Sequence, residues 1–368
     1  MTNRVTGSGA STLAVAALAV LGALTAAKGV AGKRQLALLS PSPADFSRTT
    51  KTKLDPHGRD AAVPEAIPRK GLRDVFWRVV SEVSDDRVLL VAAGVAFYLV
   101  LALFPGLTAL VSLYGLIADP SQITHNLSAV SAVLPPGAVD IVSQQIDMLM
   151  QRKVSSLGLT FFFSLAIALW SSHSGILSVF DAMNIAYEEK EKRGLVRLNL
   201  IGIAFTLSCM IIAMIIVALI GIMPAIFRMI WIDQWTETMA LVLRWPLLLI
   251  LVFGAASAIY RFGPSRNPPQ LRWLTWGAAF ATLAWFLMSV GFSYYLAHFA
   301  NYSATYGALG AMMGFLIWLW LSVAILIVGA ELNAELEHQT AVDTTIGQPK
   351  PMGQRRAHVA DTLGKTID

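Results

Sequence analysis

The chain has 368 residues, of which 55% are hydrophobic and 14% charged, against roughly 25% charged in soluble domains. With a mean hydropathy of +0.61, this excludes an ordinary soluble domain and points to an all-α, polytopic integral membrane helix bundle. The net charge of +5 is no sign of nucleic-acid binding, because its placement along the chain follows membrane topology.

Residues 1–34 contain an apolar, Ala-rich run at 11–27. Lys28, Lys33 and Arg34 follow it, so it reads as an extra N-terminal transmembrane anchor with its start outside. Residues 35–70 read as a flexible cytoplasmic linker, since 40–70 is dominated by Pro, Ser, Thr and charge. Residues 71–338 form the membrane domain, and 339–368 read as a disordered cytoplasmic tail.

The membrane domain opens with an amphipathic helix at 71–86. Val75, Phe76, Val79, Val80 and Val83 share one face, with Arg73, Arg78 and Glu82 off it. Such a helix suits the membrane interface. Six core spans follow, at 88–117, 157–180, 199–223, 239–260, 273–297 and 307–330. Pro105-Gly106 interrupts the first and predicts a kink. Between the first two, 118–156 reads as a polar loop with two short helices. Val139, Val142, Ile146 and Leu149 give one of them an apolar face. In the last span Gly310 and Gly314 form a GxxxG pair, which lets a second helix approach closely. Gly329, at the far end, is expected to matter less.

The segments 28–87, 182–198, 261–272 and 331–368 carry 23 of the 28 Lys and Arg residues. The positive-inside rule puts these segments, and so the C-terminus, in the cytoplasm. The lone Cys209 excludes an internal disulfide.

Four residues are candidates for a substrate or translocation site. His173 sits in LWSSHSG, mid-way along the second core span. An ionisable residue there is a functional hypothesis by default; the plainer reading is a neutral His bonded to a neighbouring helix. Asp181 ends the same span. Arg261 ends the fourth span at headgroup depth, where it could pair with Glu331 at the end of the sixth. Asp181, Arg261 and Glu331 are expected to converge at the cytoplasmic mouth of one cavity, with His173 deeper inside.

Other polar residues read as structural. Asn184 and Tyr187 cap and pack a helix end, with Glu188 and Lys192 as an i,i+4 pair. Tyr260 and Pro264 close the fourth span. Asn301, Tyr302, Ser303, Tyr306 and Gly307 form the outer turn before the last span, where polar groups need partners. Asn333 and Glu335 follow Glu331. Glu335-x-x-His338 copies half of a carboxylate metal site, but no second copy exists, so no metal and no cofactor are expected. No phosphate-binding loop, zinc motif or nucleophile elbow is present, so the chain reads as no enzyme.

Four stretches resemble the YihY/BrkB family of bacterial inner-membrane proteins: AAGVAFYLVLALFP at 92–105, DAMNIAYEE at 181–189, YRFGPSRNPPQLRW at 260–273, and NYSATYGALGA with GAELNAELEH at 301–338. Their order also agrees, and the resemblance covers about residues 72–338. It implies the multi-pass inner-membrane location and a role in envelope integrity, by moving or handling an anionic envelope lipid. A non-transporting assembly subunit, working with copies of itself or with envelope proteins, is the alternative. The ribonuclease label carried by family members fits least.

Overall fold

The computed structural model describes residues 55–114, 143, 147, 159–229, 234–298 and 310–367. The expected N-terminal anchor, the 118–156 loop apart from Ser143 and Asp147, and the 301–307 turn lie outside the described residues. Those described form helices: α1 (Arg69–Asp85), α2 (Val88–Tyr114), α3 (Leu159–Ala186), α4 (Leu195–Met229), α5 (Gln234–Phe262), α6 (Leu271–His298), α7 (Gly310–His338) and the short α8 (His358–Asp361). No strand occurs among them, only an isolated bridge between Pro269 and Thr345.

Six helices, α2 to α7, are long and apolar enough to cross a membrane. Pro105 lies inside α2 and Pro246 inside α5. The chain divides into two compact units. The smaller includes 227–252, the end of α4 and most of α5. The larger holds 55–226 and 253–367, and with them every site described below.

Within the larger unit α2 packs along α3, and α7 packs against α6, α2 and α1. Small residues set the close approaches. A side chain on Gly175 would meet Leu99 and Ala102 of α2. The tightest approach joins α6 and α7 at Gly277 and Gly329, where an added Cβ on Gly277 would strike the Gly329 carbonyl. The Gly277 N–H also donates to Asn333 Oδ1 at 2.7 Å. A Cβ on Gly314 would make only ordinary contact with Leu296 of α6. The GxxxG stripe therefore faces α6 at Gly314, but Gly329, expected to matter less, sits at the closest crossing.

Two expectations fail at the polar end of the bundle. Residues 339–367 are not disordered, and 55–70 is not a free linker. Thr340 and Thr344 are buried, as are Arg355 and Val359, and Ala61 and Ile67 are buried in the segment before α1. The two segments clasp each other. Ala341 N donates to the Arg59 carbonyl at 2.8 Å, and Gln339 Nε2 to the His57 carbonyl at 2.7 Å. Arg355 gathers the carbonyls of Ala360 at 2.6 Å and Ala341 at 2.7 Å. Low hydrophobicity predicts disorder when a segment buries too little apolar surface, but here Ala357, Val359 and Ala360 are buried and Arg355 satisfies backbone carbonyls.

α1 also differs from its sequence pattern. Its buried face holds Gly71, Asp74, Val75, Arg78 and Val79, so two charged residues point inward. Leu72, Phe76 and Val80, spaced four apart, face outward.

Candidate functional site

α3, α5 and α7 run past their apolar stretches and carry polar residues to one end of the bundle. Asn184 lies in the last turn of α3. Its Oδ1 accepts from Ser265 N at 2.7 Å, and its Nδ2 donates to Glu191 at 3.1 Å. This ties the loop after α3 to the loop after α5. Arg193 completes the tie, pairing with Glu191 at 2.6 Å and donating to the Gly263 carbonyl at 2.7 Å. Burial pushes the Glu191 carboxyl up, but the hydrogen bonds from Arg193 and Asn184 outweigh it and hold it at about 2. Pro264 is buried in the same loop, next to Ser265. Glu188, exposed, lies 3.3 Å from His358, and Lys192 pairs instead with Glu189 at 2.6 Å.

Beneath this tie lies a buried polar cluster. Arg266 meets Glu337 at 2.6 Å with neither side chain exposed. Its guanidinium stacks 5.1 Å from the Tyr187 ring centroid. Burial works against the Arg266 charge, and Glu337 outweighs it, raising its pKa above the ordinary value. Arg266 Nη1 and Glu337 Oε1 are buried without a hydrogen-bond partner. Tyr260 is fully buried and donates to the Leu326 carbonyl at 2.8 Å.

α1 and α7 meet through charge. Arg78 Nε pairs with Glu335, and its Nη1 donates to the Lys365 carbonyl at 2.9 Å. His338 lies 3.4 Å from Glu335 through Nδ1 and 2.9 Å from the Thr362 hydroxyl through Nε2. The Glu335-x-x-His338 unit is thus spent on holding α1 and the C-terminal segment. Among the described residues no cluster of three or more His, Cys, Asp or Glu could hold a metal ion.

The four translocation candidates are not brought together as one site. Glu331 is buried, and its charged neighbours are Asp86, Glu82 and Glu335; it does not pair with Arg261. Arg261 is half-buried beside the Phe262 ring at 5.7 Å, and its Nε has no partner. Asp181 is exposed on α3. His173 is buried, with Nδ1 against the Trp170 carbonyl and Nε2 2.8 Å from Asn199 of α4. It is engaged by its neighbours, as the plainer reading expects.

An open groove runs between α2, α3 and α4. Leu99, Leu103 and Leu107 line it from α2, Ser172 and Ile176 from α3, and Thr206, Cys209 and Met210 from α4. It lies beside Pro105 and Gly106, which sit within the continuous helix α2. Ser172 packs directly against Gly106, close enough that a Cβ there would touch its hydroxyl. The groove is apolar with three small polar groups, a lining suited to hydrocarbon beside one or two hydrogen bonds.

The comparisons with known proteins decide the family. The family model for virulence factor BrkB matches residues 79–353. The chain belongs to the BrkB family. It is 29% identical over 282 residues to the ribonuclease-like protein YfkH of Bacillus subtilis, covering 72% of this chain and 94% of that one. It is 27% identical over 267 residues to a UPF0761 membrane protein of Vibrio campbellii, covering 71% and 81%. A UPF0761 membrane protein of Vibrio parahaemolyticus is 26% identical over 268 residues, covering 72% and 82%. No solved structure matches.

Sequence reasoning missed Arg266 and Glu337. Arg266 stands inside the YRFGPSR stretch and Glu337 inside AELEH, so both were in view as parts of motifs. Their pairing joins positions 71 residues apart, which spacing cannot reveal.

Proposed function

We propose that this BrkB-family membrane protein handles an anionic lipid of the bacterial envelope, from the inner membrane, without catalytic chemistry of its own. The observation that carries this reading is the groove between α2, α3 and α4. A groove in the apolar part of a bundle takes a hydrocarbon chain, and Ser172 and Thr206 offer hydroxyls beside it. Arg261, half-buried and outside any ion pair with Glu331, is the cation offered to a headgroup. The charge bias puts the end bearing α1 and the C-terminal segment in the cytoplasm. The outward Leu72, Phe76 and Val80 of α1 suit the headgroup boundary there. The name of the Bacillus subtilis relative suggests ribonuclease activity.

The test is lipid retention. Protein extracted in mild detergent should retain anionic phospholipid above its share in the membrane. Cys209→Trp, which fills the exposed edge of the groove, should lower the amount retained at unchanged folded yield. Retention that mirrors the bulk membrane in both proteins contradicts the proposal.

A second reading is a non-transporting assembly subunit. It is favoured by the family-motif residues Asn184, Tyr260 and Glu335, which are all engaged within the chain. On that reading Arg261→Ala leaves envelope function intact wherever the protein folds, whereas lipid handling requires its loss.

A further inference from the structure

His173 lies mid-way along α3 and is only 3% exposed. Both of its ring nitrogens meet oxygen atoms. Nδ1 stands against the Trp170 carbonyl, one turn back on the same helix. Nε2 stands 2.8 Å from Asn199 Oδ1 on α4. The Asn199 amide is fixed in this sense, because its Nδ2 donates to the Leu195 carbonyl at 2.8 Å. Turning the amide over would set Oδ1 against that carbonyl, two acceptors face to face. Carbonyl and amide oxygens only accept, so each ring nitrogen of His173 has to donate. A neutral imidazole has one N–H to give, and a protonated one has two. The plainer reading expects a neutral ring bonded to α4; the bonds are there, but they ask for two protons.

We propose that His173 carries both ring protons and forms a proton-binding site inside the membrane domain, at the contact of α3 with α4. The site goes beyond lipid handling and does not depend on it. A buried cation needs compensation. Two hydrogen bonds from a charged donor supply part of it. The Trp170 ring supplies more. Its centroid lies 4.8 Å from that of His173, within the range at which an aromatic face attracts a cation. Charged and titratable groups around the ring are few. On α3, Asp181 is exposed two turns on; on α4, Arg197 is exposed just before Asn199, and Cys209 lies about three turns further along, in the groove. α2 packs on α3 at Gly175; it has no charged residue over Val88–Tyr114 and brings only tyrosines. α7 also packs on α3, but its acids, Glu331, Glu335 and Glu337, stand at its polar end. Among the described residues the partners of the ring are Trp170 and Asn199, both neutral.

This contact borders the groove. A Cβ on Gly202 would lie 3.4 Å from the His173 ring, and the Thr206 hydroxyl donates to the Gly202 carbonyl at 2.9 Å. Thr206 and Ser172, the residue before His173, both line the groove. On release the Nε2 proton passes to solvent beside Asn199, which is half-buried near the start of α4. Nδ1 keeps its proton for the Trp170 carbonyl. The Nε2 lone pair then faces Asn199 Oδ1, so the amide has to turn and give up the Leu195 carbonyl. Proton binding therefore favours the closed α3–α4 contact, and loosening that contact favours release.

The test reads the ring by nitrogen NMR on the full chain in detergent. Ser172-His173 is the only Ser–His step in the sequence. Serine labelled at its carbonyl carbon, with nitrogen-labelled histidine, therefore singles out this residue without a substitution. At neutral pH the wild type should show both ring nitrogens protonated. Asn199→Leu, which removes the facing oxygen, should lose the second proton at the same pH, and Asn199→Asp should keep it. A neutral ring in the wild type, or a second proton indifferent to Asn199→Leu, overturns the proposal. If Asn199→Leu fails to fold, the wild type and Asn199→Asp decide, and a neutral ring in either overturns it.

Discussion

Arg266 and Glu337 meet at 2.6 Å with neither side chain exposed, and Arg266 stacks over Tyr187. The pair joins the loop after α5 to the end of α7. Glu337 also accepts from the Thr344 hydroxyl at 2.7 Å, so the C-terminal segment is tied to the same point. Removing one partner of a buried pair strands the other charge, which typically costs about 3–5 kcal/mol. Glu337→Gln should therefore lower the melting temperature in detergent sharply. The double change Arg266→Met, Glu337→Leu should recover much of the loss, because neither charge then stays uncompensated. Equal damage from single and double variants would show that the pair sets geometry rather than charge balance.

The α6–α7 crossing gives a ranking. Gly277→Leu and Gly329→Leu should both reduce monodisperse yield strongly, since a Cβ at either position meets the opposite backbone. Gly314→Leu should cost less, because its nearest neighbour is the flexible end of Leu296. Size-exclusion profiles of the three variants check the order.

Acid should loosen the clasp around α1. Burial pushes Asp74 up, but the hydrogen bonds from His57 at 2.6 Å and from Ile367 N, with the charges of His57 and Arg78, outweigh it and hold its pKa low. A carboxylate with a depressed folded value contributes stability above its unfolded value of about 3.9, and that contribution fades as the pH falls through the folded value. Wild-type melting temperature should drop below about pH 4, and Asp74→Asn should flatten that acid arm. Asp86, pushed the opposite way, contributes an arm that falls as the pH rises above about 4. The two arms are separable by Asp74→Asn and Asp86→Asn. An acid arm unchanged in Asp74→Asn would remove Asp74 as its cause.

The loops after α3 and α5 and the C-terminal segment are joined by hydrogen bonds, so they lie at one end of the bundle. Reporter tags at 192, 266 and 360 should therefore agree with one another and report cytoplasm, with a tag at 302 reporting the opposite side. A periplasmic signal from 192 would overturn the orientation.

The six spans were legible because apolar runs of this length have few other uses in a bundle. Their ends were less so. α3 and α7 continue through Asn184 and Glu335, since helix geometry tolerates polar residues once they find partners. Rotation of each helix about its axis was not legible. Arg261 and Glu331 both end spans, yet they form no ion pair: Glu331 is buried and Arg261 lies beside the Phe262 ring. Nor was the folded C-terminal segment, because it is held by arginines reaching backbone carbonyls, a pattern with no period.

Lipid handling is tested most directly by a phospholipid with a photoreactive group at mid-chain, incorporated with the full protein into vesicles. Lipid handling predicts adducts concentrated at 99–107, 172–176 and 206–210, stronger for an anionic than for a zwitterionic headgroup, with the headgroup preference lost in Arg261→Ala. Labelling spread evenly over all six spans, or indifferent to the headgroup, would contradict it.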